Sequence, residues 1–418
     1  MQLIKLKNLL FLCFVCSAIS LYAQTESGSL ETYSNNYLAA MPGDSGNDYT
    51  SPTTQELDDW ELTIGYLLND DLVSARAEAD TYNYQVKEYT DTDASPDHDY
   101  YILEEKAPQS KYWGSYVFNP TPCRETLIIQ APHPDEDFNT GKQGAYCFVR
   151  LNAKALFISG TNRCNHSSFS SCDGTTSVCS EATTAYRISD VAHNDDTPFQ
   201  RATKKLYTAD NNAVFVQLHG FSKKETDPYV IIGNGTQDTP ANDHALAIKT
   251  ALFAVDNTLT FKLGHIDLAW DRLLGTTNTQ GRYLNGSVDP CDDAATTSDG
   301  NFVHLEQEKS KLRQDATGWQ KLSTALENAF SCALLVNNAN PTSDFYIHPN
   351  PTRDDKITIS GGNFQKLVFY DLSGKIRLQK SFTTVNRASL DVSGLSKGIY
   401  ILGVFSKEKA IHRKIVLQ

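Results

Sequence analysis

The chain has 418 residues, with 50 acidic against 37 basic side chains and a formal net charge of −13. That length suits two or three domains, and the acidic balance argues against nucleic acid or an anionic membrane as the main partner. Beyond the N-terminal stretch no tract is apolar enough to span a bilayer, so no membrane span is expected once that stretch is removed.

Residues 1–23 read as a secretory signal peptide. Lys5 and Lys7 precede the apolar core Leu9 to Leu21, Ala23 offers the cleavage position, and Cys13 and Cys16 fall within the discarded part. Residues 24–55 hold Ser, Thr, Asn, Gly and Asp with few large apolar side chains, which predicts a segment that stays mobile or wraps the surface. Trp60, Ile64, Leu67, Leu68, Leu72 and Ala75 recur at helical spacing, so a helix or helix pair is expected over 57–79. Short strands follow at 84–89, 100–103 and 112–118.

From Thr126 to about Asn337 strand-like and helical runs alternate. Strands are expected at 126–133, 155–159, 213–219, 229–232, 260–263 and 302–306, and helices at 141–152, 242–254 and 319–335. This pattern predicts an α/β domain over 56–336, with a mixed, largely parallel sheet covered by helices on both faces. An exported chain permits disulfides. Cys164, Cys172 and Cys179 sit in a polar loop with little apolar material to hold it, so one or two disulfides are expected there. Their spacing is not that of a structural zinc site. Cys147 lies on an apolar helix face with Ala145, Tyr146, Phe148 and Leu151 and is expected to be a free, buried thiol. Residues 337–344 form a linker by composition, and 345–418 read as short strands of a small all-β sandwich.

Three apolar runs end on residues able to hold a metal or move a proton. Thr126–Pro132 leads into His133, with Glu136 three residues on. Ala213–Leu218 leads into His219, and Asn301–Leu305 into Glu306. Ligands of open α/β sheets bind beyond the carboxyl ends of the strands, so these residues are expected to meet in one site. Two histidines and a glutamate with an open fourth position make a catalytic zinc sphere, and a further glutamate can serve as general base. Asp137 is the alternative ligand if the acidic turn 135–137 is wound differently. Gly220 after His219 allows close approach of another group. His304 shares a strand face with Glu306 and, with His193, is a candidate pocket residue. Gly43-Asp44-Ser45-Gly46 and Gly394-Leu395-Ser396-Lys397-Gly398 imitate serine-hydrolase loops, but neither has the strand–turn–helix context such a nucleophile needs.

Together His133-x-x-Glu136, His219 and Glu306, in that chain order, resemble the zinc carboxypeptidase superfamily. The nearer likeness is to its poly-γ-glutamate hydrolase and acylamino-acid deacylase branches. Val303-His304-Leu305-Glu306 with Leu312-Arg313, and Gly275-Thr276-Thr277-Asn278 through Arg282, carry that closer likeness. The resemblance implies zinc held by His133, Glu136 and His219, Glu306 as the catalytic carboxylate, cations for the substrate carboxylate and the developing oxyanion with Arg163 and Arg282 as the candidates, and a peptide, isopeptide or N-acyl amide substrate cleaved near a carboxylate. An exported, non-catalytic binding protein for cell-wall peptides or glycans on the same fold is the alternative. The tail pieces Asn350-Pro351, Tyr370-Asp371-Leu372-Ser373-Gly374-Lys375, Leu390-Asp391-Val392, Gly398-Ile399-Tyr400-Ile401 and Lys414-Ile415-Val416 resemble the sorting domain of the type IX secretion system. That resemblance implies the secretion machinery as a partner, and passage through the periplasm and outer membrane to the cell surface or the medium.

Overall fold

The computed structural model describes residues 25–332, 345–371, 375–406 and 410–418; the expected signal peptide and the linker 337–344 lie outside them. Two compact units are present, one of residues up to 122 with 126–329, the other of 123–125 with 330–418.

In chain order the elements up to residue 329 are β1 (Thr25–Gly28), α1 (Leu30–Ala39), α2 (Thr54–Leu68), α3 (Leu72–Asp80), β2 (Tyr84–Asp91), β3 (His98–Glu105), β4 (Ser115–Phe118), β5 (Arg124–Ala131), α4 (Thr140–Leu151), β6 (Ala153–Ile158), β7 (Thr175–Thr176), β8 (Thr184–Ala185), α5 (Pro198–Ala209), β9 (Val214–Phe221), β10 (Val230–Gly233), α6 (His244–Val255), β11 (Phe261–Leu263), α7 (Thr279–Leu284), β12 (Phe302–Glu308) and α8 (Ala316–Ala329). Ten strands form one mixed sheet in the order β1-β2-β3-β4-β6-β5-β9-β12-β10-β11. Its centre, β5, β9 and β12, runs parallel. Those strands read as largely apolar runs because helices cover the sheet. α2 packs on α3 and α5, while α1, α4, α8 and α6 form a second group. Trp60 of α2 is fully buried among Tyr82, Tyr84, Trp113 and Tyr116 and fastens its helix to the sheet.

Three features differ from the sequence expectation. Residues 25–55, expected to be mobile or surface-wrapping, contain β1 and α1. Leu30 and Tyr49 are buried, and Asp91 accepts the Leu30 N–H at 3.2 Å. Up to Ala39 the few apolar residues suffice, because the backbone pairs with β2 or forms a helix capped by Ser29; residues 40–53 are turns and irregular structure. α5 was not expected. Thr197 caps it, Pro198 opens it, and Phe199, Ala202 and Leu206 bury its inner stripe. α7 was also missed, being only six residues long.

Among the described residues the cysteines pair as Cys164–Cys179, Cys172–Cys291 and Cys123–Cys332, leaving Cys147 free and buried. The polar loop is therefore held both within itself and to the segment after α7.

The tail has β13 (Phe345–His348), β14 (Lys356–Tyr370), β15 (Ile376–Asp391), β16 (Gly398–Phe405) and β17 (Ala410–Leu417). They form one antiparallel five-stranded sheet, a half-barrel in which β14 is a single long strand with bulges near Phe364. Its core includes Ile357, Ile359, Phe364, Leu367, Phe369, Leu402 and Val404.

Candidate metal centre

The carboxyl ends of β5, β9 and β12 bring the chemistry together. His219 pairs in register with Glu306, and Gln217 with His304, so these four side chains share one sheet face. The His219 and His304 rings stack 4.2 Å apart. His133 follows β5, and its ring lies 5.0 Å from that of His219.

The turn after His133 decides which carboxylate joins them. The Asp137 N–H donates to His133 O at 3.0 Å and the Thr140 hydroxyl to the same oxygen at 3.1 Å, so the segment winds as a helical turn. Such a turn puts residues four apart on one face. Asp137 is buried, with Oδ2 3.2 Å from His133 Nδ1 and 3.1 Å from His219 Nδ1. Glu136, the residue the His-x-x-Glu pattern favoured, is exposed, and its Oε2 accepts Asn162 Nδ2 at 3.2 Å. It does not meet the two imidazoles.

Hydrogen-bond polarity fixes the imidazole tautomers. The Thr203 hydroxyl donates to Phe199 O and therefore accepts from Gln130 Nε2 at 2.8 Å. Gln130 Oε1 then accepts from Gln217 Nε2 at 3.0 Å, which leaves Gln217 Oε1 to accept from Asn278 Nδ2 at 2.5 Å and from His219 Nε2 at 2.8 Å. His219 accordingly carries its hydrogen on Nε2 and a lone pair on Nδ1. His133 Nε2 lies 2.8 Å from Asp190 Oδ1 and its Nδ1 3.2 Å from the donor Arg163 Nη1, so the neutral ring donates from Nε2 and keeps its lone pair on Nδ1. Both lone pairs face Asp137.

The electrostatics agree with a cation-seeking pocket. Burial alone would raise the Asp137 carboxyl, but the two imidazoles, which donate to it from Nδ1 only when protonated, hold it far below the usual aspartate range in the protein without metal. Burial lowers His219 to about 4. At His133, burial and Arg163 work downward, yet Asp190 and Asp137 raise it above the ordinary histidine value. Asp190 is held well below its usual range, against its burial, chiefly by Arg163. Glu306 is pushed up to about 8, first by burial and then by the Asp137 charge. Its Oε2 and the Nδ1 of His304 are buried without a hydrogen-bond partner. A buried polar group left so is costly unless a ligand completes it.

Among the described residues three buried groups are close enough to hold a metal ion: His133, Asp137 and His219; His219, His304 and Glu306; and His133, Asp190 and His193. Each offers two imidazole nitrogens and a carboxylate oxygen, a set that zinc accepts; in the first, both Nδ1 atoms already face the carboxylate oxygen. In the third, Arg163 Nη2 already neutralises Asp190 at 2.5 Å, which leaves Asp190 placed to orient the His133 imidazole. His193 lies against this group, its Nδ1 3.0 Å from Asp190 and its ring stacked 3.7 Å from Tyr186.

The two arginines expected at the site part company. Arg163 Nη1 lies 3.2 Å from His133 Nδ1. Arg282 instead donates to Thr276 O, Asp173 Oδ1, Pro290 O and Cys291 O, binding the Cys-rich loop to the segment after α7. Arg282→Ala should therefore speed amide exchange around 171–174 and 289–293 and leave zinc affinity unchanged; a matching loss of zinc would put Arg282 in the pocket. Sequence reasoning missed Asp190 and Gln217. Gln217 did carry a signal, since an amide inside the apolar run Ala213–Leu218 must find buried partners.

Residues 346–418 match the family described as secretion system C-terminal sorting domain. No curated protein sequence matches the chain. Among solved structures, the crystal structure of "Putative carboxypeptidase A" from Shewanella denitrificans OS-217 is similar at 12% identity and a TM-score of 0.27, over 63% of this chain and 67% of that one. The tail is a type IX secretion sorting domain, and the protein it belongs to is delivered to the cell surface or beyond.

Proposed function

We propose that the α/β unit is a zinc-dependent hydrolase of a peptide, isopeptide or N-acyl amide bond close to a carboxylate. One observation carries this reading: two imidazoles with their Nε2 hydrogens committed elsewhere turn Nδ1 lone pairs onto a single buried carboxylate oxygen, at 3.2 and 3.1 Å. Three acceptors facing one another in a buried pocket repel unless a cation or a proton joins them, and this donor set suits zinc. His133, Asp137 and His219 would hold zinc. When bound, zinc supplies a Lewis acid for the scissile carbonyl and lowers the pKa of water at the site.

Glu306 does the proton work. Its carboxyl, raised to about 8 by burial in the protein without metal, takes a proton from the attacking water and hands it to the leaving nitrogen. Bringing a divalent charge into the pocket draws that pKa down and leaves Glu306 the base. Asp190 and Gln217 keep the two imidazoles in the tautomer that presents Nδ1. Arg163, paired with Asp190, places a fixed positive charge where a substrate carboxylate or a developing oxyanion needs one.

The test is turnover of a panel of peptides, γ-linked isopeptides and N-acyl amino acids. Activity should vanish on chelation and return with zinc; activity indifferent to chelator would reject the proposal. One contact favours the second reading, a binding protein without metal: Arg163 Nη1 can itself satisfy the His133 lone pair. In that case ligand binding would persist in chelator, with no substrate on the panel turned over.

A further inference from the structure

Gly220, which follows His219, makes room for Arg313. A Cβ at position 220 would lie 2.1 Å from Cζ and 2.5 Å from Nε and Nη1 of that arginine. The guanidinium admitted there donates from Nε to Gln307 O at 2.9 Å and from Nη1 to Phe138 O at 2.7 Å. The three residues it touches each follow directly on a residue of the site: Gly220 on His219, Gln307 on Glu306, Phe138 on Asp137.

Arg313 is itself held firmly. It ends the π-helical turn Lys309–Arg313, where the Glu308 carboxylate accepts the Lys311 N–H at 3.1 Å. Its own carbonyl accepts Trp319 Nε1 at 3.0 Å and Asn139 Nδ2 at 3.2 Å. The residue is only 3% exposed. Serving two carbonyls from separate segments at once suits a rigid planar fork and not a single ammonium.

We propose that Arg313 is a positioning residue: one guanidinium, threaded past Gly220, fixes the spacing of the segments that carry His219, Asp137 and Glu306, and so sets the affinity of the site for its metal. The proposal rests on the zinc reading of His133, Asp137 and His219. Arg313 acts through the backbone next to each of these groups and touches neither metal nor substrate.

The experiment is a zinc competition titration of the full chain against a chromophoric chelator. Arg313→Ala should weaken zinc binding about tenfold to hundredfold, the usual effect of removing an outer-shell support. Arg313→Lys should recover little, and guanidinium ion added to Arg313→Ala should restore part of the affinity. Gly220→Ala should weaken binding in the wild-type background and have no further effect in the Arg313→Ala background, because the collision has then gone. Unchanged affinity in Arg313→Ala, or an equal loss from Gly220→Ala in both backgrounds, would overturn the proposal. If the wild-type protein binds no zinc, the reading of the site falls separately. The clamp is then decided by amide exchange of the metal-free protein: faster exchange at 133–140 and 219–221 in Arg313→Ala supports it, and unchanged exchange there refutes it.

Discussion

Asp137→Ala should abolish tight zinc binding, and Glu136→Ala should leave it in place. The two carboxylates are neighbours in sequence, yet only Asp137 has an oxygen within 3.2 Å of both imidazole Nδ1 atoms. Glu136 points outward to Asn162. Removing Asp137 takes away a ligand and the only negative charge between two lone pairs, so the loss should exceed the roughly hundredfold effect typical of outer-shell changes. Both variants can be read in the same chelator titration. Retained affinity in Asp137→Ala together with loss in Glu136→Ala would mean that the turn is wound the other way when metal is bound.

Glu306→Gln should remove most turnover while sparing zinc. The amide cannot accept the water proton, and general base catalysis contributes about 10²- to 10⁴-fold. The same variant has an effect on stability, whose sign follows from the shifted carboxyl. The folded state holds the Glu306 proton up to about pH 8, well above the ordinary glutamate value. The folded protein thus binds that proton more tightly than the unfolded chain, and stability falls as pH rises from about 4.5 towards 8. Glutamine removes this dependence. In chelated protein at pH 8.5, Glu306→Gln should therefore raise stability by something on the order of 2–4 kcal/mol, with little difference at pH 4. Thermal unfolding at the two pH values measures this. A variant less stable than wild type at pH 8.5 would mean that the Glu306 charge is compensated in the folded state.

The strand ends were legible in the sequence because β5, β9 and β12 are buried and so appear as largely apolar runs leading to His133, His219 and Glu306. The choice between Glu136 and Asp137 was not legible. It depends on how the turn 133–140 winds, and the deciding bonds run from backbone and hydroxyl groups to His133 O. Asp190 was hidden for a different reason. It lies in a polar loop whose path is set by Arg163 and the two disulfides of the Cys-rich segment, long-range partners that local pattern does not encode. The role of Gly220 was half visible: the sequence showed that something approaches His219 closely, and the structure identifies it as Arg313. In the tail, where short strands were expected, residues 356–370 form one long strand with bulges near Phe364, since a glycine pair can end a strand or merely bend it.

The most direct measurement is zinc X-ray absorption of the purified, exported protein. One zinc per chain, with two imidazole nitrogens and the remaining neighbours oxygen at about 2.0–2.2 Å, is the predicted result. Absence of stoichiometric metal, or scattering from sulfur at about 2.3 Å, would contradict a centre built on His133, Asp137 and His219.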